Sequence, residues 1–497
     1  MYSVCTVGHL PEAEGTWVPS VHMNCNHNEV AALLKRSLAP TPCAGVVERL
    51  PVLRWFRRLR MVARAYSGER WSHLEVAQSY TGLLRRRYLV AEESLRVEGP
   101  ITSSDAKLGA FLKAEKFGRK YGKPRMIFPR SPRYNLSIAS YLKPFEHWLW
   151  GYLTGRRLFQ GPNTRVVAKG LNGRQRANLI VKKFKSFDSC VVFEVDGSAF
   201  EAHVDVWQLE QEHAVYLAAY SGEPELARLL ARQLVNEGVT QGGVKFSRSG
   251  GRASGDFNTG MGNTLIMTVV VVAVLKHLKV PFDLLVDGDN ALVFMPARVS
   301  DLVVRCFAPL ALEFSGHEMV LEHPVTCVER IRFGQCAPVE IAEGSWTMVR
   351  DWRKVISQMT SSHAHLEQPR FVKPYLRGVA FCEQSLHAGV PVAQALARRL
   401  LELTEGERAV QEDMYRDYQA LGLDIAVARN SRFIEPTNLA RESFRRAFGL
   451  TPEEQLGLEK GLGELVIDIT CWQPEDSPWS FDDLLLSRPG LVDQLYT

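Results

Sequence analysis

Two aspartates stand where short apolar runs end. Asp196 closes the run Val191-Val192-Phe193-Glu194-Val195, and Asp289 sits in the turn Asp287-Gly288-Asp289-Asn290 that follows Leu284-Leu285-Val286. Strands that are apolar on both faces lie inside a sheet, so both turns can emerge at one sheet edge. Two carboxylates converging there would hold divalent magnesium, a hard cation that takes oxygen ligands and shares its shell with substrate phosphates. That chemistry suits in-line phosphoryl or nucleotidyl transfer. Either acid alone is more simply a turn former. Only the pair makes a site.

A second cluster is basic. Between Lys107 and Arg133 stand nine Lys or Arg residues against one acid, Glu115, giving +8 in a chain whose formal net charge is +5. Gly118, Gly122, Pro124, Pro129 and Pro132 break this segment into an extended path. Phe117, Tyr121, Phe128 and Tyr134 are interleaved with the cations, as on a surface that meets phosphates and bases. A further run, Arg54, Arg57, Arg58, Arg60 and Arg64, alternates with apolar residues at helical spacing and reads as the wet side of an amphipathic helix. His22, Cys25 and His27 do not have the spacing of a four-ligand zinc site, and no fourth ligand is evident.

The elements that must position these groups follow from periodicity. A helix-rich region runs to about residue 100, and the extended basic segment follows. Helical patterns at about 204–220 and 224–236 precede a Gly-rich turn region, Gln241 to Asp256, and a helix at about 258–278. The runs Asp283 to Val286 and Ala291 to Phe294 flank Asp-Gly-Asp-Asn, a strong hairpin signal. Beyond about residue 340 the pattern is mostly helical. A small sheet of non-adjacent strands wrapped by helices is an α+β core with large insertions.

Composition sets the bounds. The 497 residues are 46% hydrophobic and 23% charged, which excludes a disordered chain and allows about three domains. Nine dispersed cysteines without a CxxC pair argue against a secreted disulfide scaffold and for a reduced compartment. The N-terminus lacks the basic and apolar regions of a signal peptide. The most apolar stretch, Leu265 to Leu275, has eleven residues where a membrane span needs about 20, so it reads as a buried core helix in a chain that is not integral to a membrane. From residue 464 the chain is acidic, and Trp472, Trp479, Phe481 and Leu484 to Leu486 read as the packed side of a peripheral tail.

Taken in order, the motifs are K-x-E-K and K-P-R (113 to 125), D-G-S-A-F-E-x-H (196 to 203), R-A-S-G-D-F-N-T-x-x-G-N (252 to 263), D-G-D-N (287 to 290) and F-G-Q-C-x-P (333 to 338). This ordered set resembles the viral RNA-dependent RNA polymerases, and is most similar to those of the tombusvirus family and tombus-like relatives. KPRMIFPRSPRYN, YLKPFE, KGLN and MVRD add to the likeness, which spans roughly residues 110 to 355 and is weak outside them.

The resemblance implies a right-hand α+β fold of fingers, palm and thumb, with an antiparallel palm sheet flanked by helices. Residues 1–185 would form the N-terminal region and fingers, 186–205 palm, 206–250 a fingers insertion, 251–345 palm, and 346–497 thumb and C-terminal tail. It also implies roles. Asp196, Asp289 and Asn290 would be the catalytic, metal-binding group. Glu201, Ser254, Thr259 and Asn263 would meet the substrate ribose, where an amide can read a 2′-hydroxyl. Lys113, Lys116, Lys123, Arg125 and Arg130 would lie over the triphosphate, and Gly255, Phe333 and Gln335 against RNA. Magnesium, or manganese, would be the cofactor; nucleoside triphosphates, the RNA template and the nascent strand would be the substrates. A viral membrane-anchoring replication protein is the expected partner, at membrane-associated complexes in host cytoplasm.

Four departures stand against this pattern. Glu201 falls where the family usually has aspartate. Asn290 replaces the second aspartate of Asn-Gly-Asp-Asp, with Asp287 as the neighbour that could restore the charge. Gly334 replaces a usual cysteine. The stretch EFSGHEMVLEHPV lacks the lysine that often serves as general acid, leaving His317 as the candidate, with an exposed loop histidine as the simpler reading. These departures motivate an alternative, a catalytically impaired palm-fold scaffold that binds RNA. A reverse transcriptase is disfavoured by Asn263 and its context.

Overall fold

The computed structural model describes residues 1–8, 16–39, 48–118, 122–409, 418, 423 and 428–473. In chain order the strands are β1 (Val4–Val7), β2 (Leu108–Leu112), β3 (Met126–Ile127), β4 (Cys190–Gly197), β5 (Val235–Thr240), β6 (Lys245–Ser249) and β7 (Asp283–Asp287). They continue with β8 (Asn290–Pro296), β9 (Met319–Leu321), β10 (Cys336–Ala342), β11 (Ser345–Arg350), β12 (Ser361–Ser362) and β13 (Ile469–Trp472).

The central sheet has the order β7-β8-β4-β9 and is antiparallel throughout. Side chains alternate across a strand, and here both faces are covered. Val191, Phe193 and Val195 of β4 enter one core with Leu284, Val286 and Val293. Cys190 and Val192 enter a second core with Leu285, Leu292 and Phe294. That division is why the strands read as unbroken apolar runs.

The helix Thr259–His277 packs into the first core. It is longer than its most apolar stretch and, by length and composition, could cross a membrane, but 83% of its apolar window is buried inside the protein. Its run Val269 to Val272 has poor helix propensity; burial on all sides decides the conformation instead. Leu50–Ala63 is the amphipathic helix expected of the arginine run, burying Val52, Phe56, Leu59, Val62 and Ala63.

A second sheet, β3-β2-β5-β6, differs from expectation. The helix Pro224–Ala231 stops early, and β5 and β6 form a hairpin where the sequence suggests helix and turn. Parallel pairing of β5 with β2, through Leu108 opposite Gly238, is a non-local contact that local periodicity does not register. The basic segment is extended in β2 and β3, but two of its aromatics do not face solvent. Phe128 is 5% exposed and Tyr134 fully buried, each inside a core. Phe117 stacks on His22, ring centroids 4.7 Å apart. Arg119, Lys120 and Tyr121 lie outside the described residues.

The C-terminal part has its own core. The β10–β11 hairpin and the helices Trp352–Met359, Pro369–Leu386, Ala393–Leu403 and Asn438–Phe448 pack around Ile356, Leu376, Leu396 and Phe444, with Cys5 and Val7 of β1. β1 lies between β12 and β13, so segments far apart in the chain share a sheet. There the cysteines show one pairing the sequence reading did not expect: Cys5 and Cys471 are directly opposed, with Cα atoms 4.0 Å apart, and form a disulfide, while the six other described cysteines are free. A separation of 466 residues leaves no spacing motif to read. Trp472 is 46% exposed; Trp479, Phe481 and Leu484 to Leu486 lie outside the described residues.

Candidate active site

The β7–β8 register sets Asp287 opposite Asn290, leaving Gly288 and Asp289 as a two-residue turn. Gly288 has φ +61°, a value that a side chain would strain, at the first central position where such hairpins favour glycine. The Thr264 hydroxyl accepts from the Gly288 N–H at 2.9 Å and donates to the Gly260 carbonyl at 2.7 Å, tying the turn to the long core helix. Across the sheet Asp196 opposes Asn290, and the Gly197 N–H donates to the Asp289 carbonyl at 3.1 Å. Both aspartates therefore stand at one edge.

Their surroundings favour a cation. Burial, then the charges of Asp289 and Glu322, push the Asp196 carboxyl up to about 6, with the Gly197 N–H and Arg125 offsetting in part. Burial chiefly raises Asp289 too. A divalent cation would relieve both. Among the described residues no cluster of three or more His, Cys, Asp or Glu forms a metal site. Two carboxylates that leave the remaining positions to water and phosphate oxygens are the usual offer to magnesium. The residues present fit the group.

Beside this edge lies a cavity of about 130 Å³ whose wall includes Arg36, Arg125, Glu201, Ser254, Asn263 and Asp289. The Ser254 hydroxyl donates to the Glu201 carboxylate. Asn263 Oδ1 accepts from Arg252 Nε at 2.9 Å, which leaves the amide NH₂ as its donor toward a ligand. Arg252 is itself fixed by an ion pair with fully buried Glu212. Glu212 also accepts from Asn258 at 3.0 Å and from the Tyr216 hydroxyl at 2.6 Å. A satisfied buried network of this kind holds one geometry.

Comparison with known proteins decides the family. A model described as viral RNA dependent RNA polymerase matches residues 8–470. The chain belongs to this viral RNA-dependent RNA polymerase family. It is 33% identical to the RNA-directed RNA polymerase of Carnation mottle virus over 451 residues, 88% of this chain and 57% of that protein. It is 33% identical to that of Tobacco necrosis virus (strain A) over 426 residues, 82% of this chain and 57% of the relative. With that of Tomato bushy stunt virus (strain Cherry) the identity is 30% over 470 residues, 90% and 55% of the two chains. The chain spans about half the length of the curated relatives it matches. The family match extends beyond residues 110 to 355 at both ends, into helices that carry no chemical motif.

Within the family frame, the cations expected over a triphosphate are divided. Arg125 lines the cavity, and Lys123 is exposed. Lys113 lies 3.1 Å from Glu115, which also sits 3.6 Å from Arg125. Two others are placed elsewhere. Lys116 Nζ donates to the carbonyls of Gln358 at 2.7 Å and Ser361 at 2.5 Å, bracing the basic segment against the C-terminal part. Arg130 is 3% exposed and pairs with Asp256 at 2.7 Å, so its guanidinium serves the core.

The remaining residues divide likewise. The Thr259 hydroxyl donates to the Ala253 carbonyl at 2.9 Å and accepts from the Gly255 N–H at 3.3 Å, shaping the loop rather than facing the cavity. Gly255 has a packing reason: a Cβ there would come within 2.7 Å of the Phe128 main chain. Gln335 is exposed and accepts from Lys354 Nζ. Phe333, expected against RNA, is 1% exposed and belongs to the second core.

Two substitutes proposed for missing groups are corrected. Asp287 is not a free carboxylate at the metal edge: its charge is felt at Asp289, but Lys169 at 3.0 Å and Arg176 at 2.9 Å pair with it and hold its carboxyl below the usual range. His317 is not an exposed acid. It is fully buried, stacks on Phe200 at 4.3 Å and donates from Nε2 to Gln208 Oε1 at 2.6 Å, and burial pushes its pKa down to about 3. Motif reading also missed Arg36, Thr264 and the Lys169–Arg176 pair. KGLN marks Lys169 in the sequence, whereas nothing around Arg36 signals its place.

Proposed function

We propose that this chain carries the catalytic part of an RNA-directed RNA polymerase that replicates a viral genome by nucleotidyl transfer from nucleoside triphosphates. One observation carries the reading: Asp196 and Asp289, distant in sequence, meet at one sheet edge beside a cavity that also holds Arg125, Glu201, Ser254 and Asn263. The relatives' printed names support it. On this reading β7-β8-β4-β9 is the palm, β3-β2-β5-β6 belongs to the fingers, and the helices after Trp352 form the thumb, with boundaries at 185, 205, 250 and 345. The separate cores of the central and C-terminal parts support a palm and a thumb, with the β10–β11 hairpin on both sides of 345 packed in the C-terminal core.

Asp196 and Asp289 would hold magnesium or manganese, with the Asn290 carbonyl oxygen as a weaker, uncharged neighbour. Such ions, when bound, lower the barrier for a 3′-hydroxyl to attack an α-phosphate and stabilise the leaving pyrophosphate. The chain's own groups do the rest. Arg125 offsets charge on the triphosphate, and the Asn263 amide meets a ribose hydroxyl. Ser254, held by Glu201, limits how the sugar sits. The RNA template and nascent strand are the macromolecular partners, and attachment to host membranes would fall to a viral anchoring protein.

Incorporation of labelled nucleotide on a homopolymeric RNA template, with magnesium and then manganese, tests this. Metal-dependent synthesis that is lost in Asp196→Ala and in Asp289→Ala is the expected result. RNA binding without synthesis under either metal would overturn the reading in favour of a scaffold.

A further inference from the structure

The N-terminal segment reaches the cavity. Leu33–Ser37 is a five-residue π-helix, a form that is rare and concentrates at functional sites. Ala32 at its N-cap and Leu33 at its start are fully buried against β2, and Glu29 accepts from the Gly242 N–H at 3.0 Å. Beyond them Arg36 lines the cavity wall with Arg125 and Asp289. Arg248 clasps this segment: its guanidinium donates to the Ser37 carbonyl and to the Ala202 carbonyl, the residue after Glu201.

Arg36 differs from the buried arginines among the described residues. Arg130, Arg252 and Arg441 each have a carboxylate partner, Asp256, Glu212 and Glu459. Arg36 is half-buried, forms no ion pair among the described residues, and donates only to the Lys123 carbonyl, at a long 3.4 Å. Burial and the nearby Arg125 lower its pKa, while Glu115, Glu201 and Asp289 are felt from a distance. A partly desolvated guanidinium without a carboxylate partner gains when an anion arrives. A polyphosphate is an anion whose paired oxygens suit the planar fork of guanidinium donors.

We propose that Arg36 is a second arginine on the triphosphate of the incoming nucleotide, opposite the acidic edge, and that Arg248 is the positioning residue that holds it there. The inference rests on the polymerase reading for the identity of the ligand.

The test is nucleotide binding and incorporation by the full chain, with wild type, Arg36→Gln, Arg36→Lys and Arg248→Ala compared at matched thermal midpoints. Binding of a non-hydrolysable nucleoside triphosphate with magnesium is measured beside binding of the monophosphate. Arg36→Gln should weaken triphosphate binding and raise KM for nucleotide by about 10- to 100-fold, the size of a lost charge-assisted contact. Monophosphate binding and kcat should change little. Arg36→Lys should recover part of the loss, and Arg248→Ala should reproduce it in weaker form. Equal losses for monophosphate and triphosphate, or unchanged triphosphate binding in Arg36→Gln, would overturn the proposal. If wild type binds triphosphate yet never incorporates it, the polymerase reading fails, and the binding ratio alone still decides Arg36.

Discussion

Asp287 and Asp289 are two residues apart on one hairpin turn and have opposite fates. Asp287 faces Lys169 and Arg176, which neutralise it and lower its pKa. These three line a separate cavity of about 680 Å³ with Phe333 and Arg350. Asp289 shares its side of the turn with Asp196, and burial raises both carboxyls. The same residue type thus braces the fold on one face and awaits a cation on the other. What separates them is position and company: Asp287 ends β7 opposite Asn290, whereas Asp289 sits in the turn beside Asp196.

The comparison breaks most visibly at Asp289. Asp289→Ala or Asp196→Ala should reduce metal-dependent incorporation by at least about 10³-fold, as for loss of a group that stabilises transition-state charge, measured by labelled-nucleotide incorporation. Asp287→Asn should retain activity within about tenfold. It should instead lower stability by about 1–2 kcal/mol, read by denaturant unfolding, because two partly exposed cations lose their carboxylate. A reversal of these two phenotypes would exchange the roles assigned to the faces.

Asn290→Asp sharpens the same contrast by adding charge to the cation-binding side. It should shift the balance between magnesium and manganese by about tenfold, on the scale of one added carboxylate near the ion. Identical titrations with the two metals for both proteins would show that position 290 does not sense the ion.

A last effect concerns pH and leaves the catalytic contrast untouched. His317 is neutral in the fold with its pKa depressed to about 3, so the unfolded chain takes up the proton first. Stability is full above the ordinary histidine value of about 6.5 and falls as pH drops below it, by about 2 kcal/mol at pH 5. His317→Phe should flatten the pH dependence of the thermal midpoint between 7 and 5 and leave incorporation in place. Loss of incorporation would return His317 to the mechanism.

The chemistry was legible where it rests on short-range order. A strand end at Asp196 and a hairpin at Gly288-Asp289 follow from apolar runs and turn residues, and the long core helix follows from its hydrophobic length. Non-local pairing was not legible. β5 and β6 join β2 rather than extending a helix, and Cys5 meets Cys471 across nearly the whole chain. Charge counting likewise could not tell Arg125 at the cavity from Arg130 in the core, because a buried acid, Asp256, decides the difference. Arg36 was invisible for the same reason: its role depends on where a distant segment packs.

Manganese binding, followed by loss of the free-ion paramagnetic resonance signal, tests the central contrast most directly in wild type, Asp289→Asn and Asp287→Asn. Affinity should collapse in Asp289→Asn and stay near wild type in Asp287→Asn. Equal affinity in all three proteins, or collapse in Asp287→Asn alone, would contradict it.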